Sequence, residues 1–245
     1  MLSKYTKEKF YSNYFQEQAN NFGDKNLEKK VVQEIIHFKK EILPCIPNDK
    51  NQNILDAGCG YGALLKCLKD NGYKNVKGID VSRDQVNVAH KLGLKEVEYA
   101  DLFSFLELKK QCYDVIICID LIEHFDKNDL IVFLEKVKNS IKDGGIAIFR
   151  TPNIDAPFGS TYAFGDFTHQ TVLNYTSAMQ LFRTLQFKSV TVKPSVVMFN
   201  NPVKTFFRKL FWWKAVLFFK SILMASGKST KDVIFSPNLI VVAKK

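Results

Sequence analysis

The stretch Asn53-Ile54-Leu55-Asp56-Ala57-Gly58-Cys59-Gly60-Tyr61-Gly62-Ala63 decides the fold. It opens as a short apolar run of strand type, turns through glycines at alternate positions, and continues into a segment from Ala63 to Lys69 with helical character. Strand, Gly-rich turn and helix in that order let backbone approach a ligand at a helix N-terminus. Gly58, Gly60 and Ala63 also satisfy G-x-G-x-x-A, a dinucleotide-loop pattern that is weak as a lone match. Asp56 argues against a dinucleotide, because a carboxylate at the carboxyl end of the first strand repels pyrophosphate and welcomes a cation.

Outward from this stretch, apolar runs and amphipathic segments alternate, the pattern of βαβ units and a parallel sheet. Strands are expected near 53–57, 75–80, 96–100, 113–119, 145–150, 187–193 and 238–243. Leu130, Phe133, Leu134, Val137 and Ile141 mark a helix that ends before Asp143-Gly144-Gly145, and a further helix from Ser177 to Leu185 follows a cap at Thr176. The reading is an α/β chain with a Rossmann-like, doubly wound seven-stranded sheet over 51–245, preceded by an N-terminal helical extension over 1–50 whose helix runs from Leu27 to Leu43.

With 245 residues, 46% of them apolar, the chain can bury a full core, which excludes a disordered or rod-like protein. The five cysteines are odd in number and form no C-x-x-C pair, so free thiols are expected, without a disulfide framework or zinc cluster. The N-terminal segment lacks the apolar core of a signal peptide, and the most apolar stretch, Lys204 to Met224, is interrupted by Arg208, Lys209, Lys214 and Lys220. A cytoplasmic location follows as the expectation.

Acids recur at strand ends: Asp56 on the first, Asp80 on the second, Asp101 on the third, Asp120 on the fourth. One strand-end aspartate is ordinarily a helix cap; four together point to a ligand crevice at the switch point between the first and fourth strands. Residues 53–150 resemble the class I S-adenosylmethionine-dependent methyltransferases, through Asp56, Gly58 and Gly60, Asp80, Ala-Asp-Leu at 100–102, YDVIICIDLIEHF at 113–125 and GGIAIFRTPN at 144–153. That resemblance implies S-adenosylmethionine as cofactor and a last strand antiparallel to the rest. It assigns the methionine moiety to Asp56, Gly58, Cys59 and Gly60, the ribose to Asp80 with Val81, the adenine to Asp101 with Leu102, and the sulfonium side to Asp120 with Leu121.

A hydroxyl acceptor needs a base or a metal. His169, on the polar loop after the fifth strand, is the candidate base, with Asp120 the other candidate catalytic group. Asp120, Glu123 and His124 with the distant His169 are similar to the metal-binding Glu-x-x-Glu-His plus His set of ubiquinone-pathway and small-RNA 2′-O-methyltransferases, which implies Mg2+ or Mn2+ as a further cofactor. The first acid is here one methylene shorter. Thr151-Pro152-Asn153 and Asp166-Phe167-Thr168-His169 are similar to methyltransferases of bacterial surface sugars.

The segment 151–175 is expected to form an acceptor lid, and 195–236 a helical insertion. O-methylation of a sugar hydroxyl in a surface polysaccharide or its lipid-linked precursor is the leading expectation. A quinone-type small molecule, an RNA 2′-hydroxyl and a non-catalytic S-adenosylmethionine-binding role are the alternatives. The net charge of +10 is local: residues 167–245 hold twelve Lys or Arg against one acid, Asp232, while residues 1–166 hold 23 against 24. Aromatic and basic residues interleave over 204–224, a composition that fits an anionic membrane at the inner face, single-stranded nucleic acid, or burial against the chain's own sheet or a second copy.

Overall fold

Residues 24–196 and 202–245 are described by a computed structural model. Apolar runs of five to seven residues become the strands β1 (Asn53–Ala57), β2 (Asn75–Asp80), β4 (Tyr113–Ile119), β6 (Ser189–Pro194) and β7 (Asn238–Lys244), joined by the shorter β3 (Val97–Tyr99) and the longer β5 (Ile141–Pro152). The sheet order is β3-β2-β1-β4-β5-β7-β6. β1 through β5 pair in parallel, while β7 runs antiparallel to both β5 and β6. The chain reverses winding between β1 and β4, so their carboxyl ends face one crevice.

Period-two alternation along the strands feeds two apolar layers. In β4, Val115 and Ile117 face the layer formed by helices α1 (Asp24–Glu41), α2 (Ala63–Asp70) and α3 (Arg83–Lys91). Ile116 and Cys118 face the layer of α4 (Leu102–Glu107), α5 (Lys127–Ser140) and α7 (Tyr175–Thr184). The helical segment expected ahead of the sheet is therefore part of the core: Val31, Phe38 and Ile42 are buried with Ile54 and Leu65. The short α6 (Gly159–Phe164) lies in the loop after β5, and α8 (Pro202–Ala225) connects β6 to β7. All five cysteines are free.

Most element ends shift by one to three residues from expectation, and two differences have a specific cause. Ile141, assigned there to the preceding helix, starts β5: it is extended, fully buried and paired with Tyr113. Its neighbour Ser140 ends α5 by bonding the carbonyls of Leu106, Lys109 and Lys136, and the register shift between Tyr113 and Val115 absorbs Gly144 at φ +79°. The cap of α7 is Asn174 and not Thr176, because Asn174 and Ser177 form a reciprocal capping box.

Candidate functional site

At the β1 turn, three backbone amides that could have faced an anion are already occupied. Gly58 N and Cys59 N both donate to the Ile79 carbonyl (2.9 and 3.0 Å), and Gly60 N donates to Asp80 Oδ2 (2.8 Å). Gly58 and Gly60 hold left-handed φ of +75° and +54°, and Leu121 packs where a side chain on Gly58 would stand, 3.0 Å from that Cβ position. The side chains beside this turn are acidic. Asp56 is 1% exposed and its Oδ2 has no hydrogen-bond partner; burial, then the neighbouring Asp80, push its carboxyl up to about 8. Asp80 accepts from Gly60 N and Ser82 N (2.8 Å each), and burial raises its pKa against those N–H donors. A buried carboxylate oxygen without a donor, beside a second acid, fits the cationic cofactor implied by the sequence resemblance and does not fit a pyrophosphate.

Asp101, expected at the adenine, uses Oδ1 to cap α4, accepting from Ser104 N and Oγ (2.9 and 2.8 Å). Leu102 is buried in the core layer, and Val81 beside Asp80 is half-exposed. Asp120 sits at φ +50°, a left-handed geometry that aspartate tolerates, fixed by Asp120 N donating to the Arg150 carbonyl (2.9 Å). Both its carboxylate oxygens are gripped by the Arg150 guanidinium, Nε reaching Oδ1 at 2.9 Å and Nη2 closing on Oδ2. Arg150 also reaches Glu41 Oε2 (3.6 Å), which ties α1 to the ligand end of the sheet. Burial raises the carboxyls of both Glu34 and Glu41.

The metal set forms without its first acid. Among the described residues, Glu123, His124 and His169 each offer a ligand atom within 4.8 Å of the others; Asp120 is not among them. Glu123 is 1% exposed, accepts from Thr151 Oγ1 (3.1 Å), and has its carboxyl raised by burial and then by Asp120. Thr168 donates its hydroxyl to Asp166 Oδ1 (2.6 Å) and so must accept from His124 Nδ1 (2.8 Å). His169 Nδ1 faces the Ala163 carbonyl (2.9 Å), which can only accept. Both imidazoles thereby carry a hydrogen on Nδ1 and are oriented by that bond, the outer support that metal-binding histidines use. Burial, then His169, push His124 down to about 4, so it is neutral at physiological pH. The rings meet edge to face, 4.8 Å apart. One carboxylate and two imidazoles suit a first-row divalent cation, and of the two ions implied by the sequence resemblance they favour Mn2+ over Mg2+, which takes oxygen ligands.

The loop after β5 is closed at its base and open at its tip. Ile154 N donates to the Leu173 carbonyl, and Gln170 N and Thr171 N both donate to the Glu123 carbonyl. Its tip exposes Phe158, Tyr162, Phe164 and Phe167. Asn153 is fully buried and donates to the Ile234 and Ser236 carbonyls, so it anchors the fold. Glu41, Arg150, Thr151, Asp166 and Thr168 as a supporting set were not read from sequence. Asp166 and Thr168 pair locally within Asp-Phe-Thr-His, but the other partners lie at least 28 residues apart, so no local spacing announces them.

A family model for a methyltransferase domain matches residues 27–192. The ubiquinone biosynthesis O-methyltransferase of Rickettsia prowazekii is 32% identical over 66% of this chain and 65% of its own length. The protein of that name from Paraburkholderia phytofirmans is 29% identical over 57% and 61%. The chain thus spans a little under two thirds of the curated relatives it matches. Among solved structures, a SAM-dependent methyltransferase from Archaeoglobus fulgidus superposes with a TM-score of 0.63 at 18% identity, over 95% of this chain and 99% of the other. The magnesium protoporphyrin IX methyltransferase of Synechocystis gives 0.59 at 15% identity, over 97% of both.

Proposed function

This chain belongs to the methyltransferase-domain family, and from that premise we propose that it transfers a methyl group from S-adenosylmethionine to one hydroxyl of a small aromatic diol, a quinone-type precursor. The observation that carries the reading is the convergence of Glu123, His124 and His169, with Leu121, two residues before Glu123, resting on Gly58 of the cofactor turn. The relatives' names favour a phenolic acceptor, as do the exposed aromatic side chains at the loop tip. The residues behind the resemblance to sugar methyltransferases serve other ends: Asn153 braces the segment before β7, and Thr168 orients His124.

S-adenosylmethionine, when bound, supplies an electrophilic methyl group, and a divalent cation supplies Lewis acidity toward a diol oxygen. The protein contributes placement. Asp56 and Asp80 would hold the cationic cofactor at the turn against which Leu121 packs. Glu123, His124 and His169 would hold the cation, with His124 oriented through Thr168 and Asp166 and His169 through Ala163. The loop over 153–174 covers the acceptor and excludes water.

A second reading rests on the partial exposure of His169, whose Nε2 can take the hydroxyl proton directly. Release of S-adenosylhomocysteine with catechol as acceptor tests the proposal. Activity lost in EDTA and restored by Mg2+ or Mn2+ supports the cation; activity kept in EDTA but lowered on the order of a hundredfold or more in His169→Ala, with cofactor affinity unchanged, supports the base. Full activity under both challenges sinks both roles, and methylation of a hexose diol but not of catechol sinks the acceptor class.

A further inference from the structure

The helix α8 lies outside the residues matched by the family model, and it turns hydrocarbon to the solvent. Thr205, Trp212 and Phe219, spaced by seven, form its inner line: Thr205 is buried and Phe219 stacks on Phe235 at 6.1 Å. At about 100° per residue, the opposite half of the helix carries Phe206, Phe207, Phe211, Trp213, Phe218 and Met224, each at least half-exposed. Phe211 is 67% exposed and Phe206 64%, and with their neighbours they make one continuous apolar face, the kind of surface that marks an interaction site. Lys209 and Lys220 run along one border of this face and Lys214 stands within it, and no Asp or Glu occurs between Asp166 and Asp232.

Topology sets this helix at the rim of the site. β6 is parallel to β5, so Pro194, where the chain leaves the sheet toward α8, lies at the same end as Pro152. The return strand β7 begins at Asn238 opposite Pro152. Phe235, under Phe219, is next to Ser236, whose carbonyl accepts from Asn153 at the base of the acceptor loop.

We propose that the outer face of α8 docks on an anionic lipid bilayer, lying flat at the headgroup boundary with Phe and Trp in the acyl region and lysines against lipid phosphates. Three properties favour lipid over a second copy of the chain. A twofold contact would gather Lys209, Lys214 and Lys220 of both copies into one interface with no acid on the face to balance them. A bilayer supplies the missing negative charge, and the long lysine stem lets Lys214 reach the headgroups from within the apolar face. No helix among the described residues is long and apolar enough to cross a membrane, so α8, about 36 Å long at 1.5 Å per residue, lies along the surface. Docked this way, α8 would bring the rim that carries the acceptor loop close to the bilayer.

Flotation of the full chain with phosphatidylcholine vesicles, with and without phosphatidylglycerol, tests the inference. The expected result is binding to the anionic vesicles only, weakened by salt, with a blue shift of tryptophan emission. Phe207→Ser/Phe211→Ser/Phe218→Ser should abolish binding, and Lys209→Ala/Lys220→Ala should weaken it about 25-fold, at about fivefold per lysine. Both variants should keep wild-type cofactor affinity, which shows that they fold. Failure of the wild type to float, equal flotation of the triple-serine variant, a dimer in size-exclusion chromatography that this variant dissociates, or retention on single-stranded RNA but not on vesicles would each overturn it.

Discussion

The β1–β2 end of the molecule buries charge, and the β6–β7 end exposes hydrocarbon. At the first, Asp56 lies 1% exposed with an oxygen lacking a donor. At the second, Phe211 stands 67% exposed on α8. Each inverts the usual arrangement of polar groups outside and apolar groups inside, and each costs free energy in the isolated chain. The two regions teach the same lesson by opposite routes: where a sequence departs from what folding alone favours, the departure marks what the surface or cleft binds. Charge is divided along the same line, since residues 1–166 are close to neutral whereas residues 167–245 carry the whole excess of positive charge.

This contrast can be broken in several ways. The largest effect on stability is expected at Arg150, whose removal leaves Asp120 and Glu41 without their cation. Arg150→Ala should cost about 3 kcal/mol in urea denaturation, and an unchanged midpoint would show that the cluster is hydrated rather than part of the fold. Asp56→Asn should weaken S-adenosylmethionine by on the order of a hundredfold in calorimetry while leaving the apo protein as stable or more so, because the orphaned acid is removed.

Next in size is a pH effect with a definite sign. The Asp56 carboxyl sits at about 8 in the fold against an ordinary value near 4, so between these the folded chain holds a proton that the unfolded chain releases. Its contribution to stability therefore declines as pH rises toward 8. Binding of a cationic cofactor favours the carboxylate and expels that proton, so affinity should tighten by up to about tenfold per pH unit below 8 and level off above it. Asp56→Asn should flatten the profile; a slope that survives the substitution assigns it to another group. The smallest effect sharpens the contrast from the other end: Phe211→Ser should change stability by within about 0.5 kcal/mol, since little is packed against that ring. A loss of several kcal/mol would mean that Phe211 belongs to the core.

Much of the cofactor side was legible because its cues are local. Strand, glycine turn and helix follow one another within 53–70, and Asp56 and Asp80 stand at strand ends that apolar runs announce. The seven strands and the reversed last strand follow from the same alternation and the family resemblance. Asp101 was visible as a strand-end acid, but a cap and a ligand contact look alike in sequence, and Ser104 three residues on completes a cap. His124 and His169 were legible as candidates, and Glu123 with them.

Local pattern alone fixes the βαβ order, the acidic Gly-rich turn and the basic, aromatic stretch at 204–224, and it offers Asp120, Glu123, His124 and His169 as candidates for a cation. Tertiary structure alone decided how they are used. It turned Asp120 onto Arg150 and out of the three-ligand cluster, oriented His124 and His169 through Thr168 and Ala163, and set which half of α8 meets solvent. The physical reason is range. Strand, turn and helix preferences arise between residues a few positions apart, whereas an ion pair, a ring orientation or a free face depends on groups that only the closed sheet brings within a few ångströms.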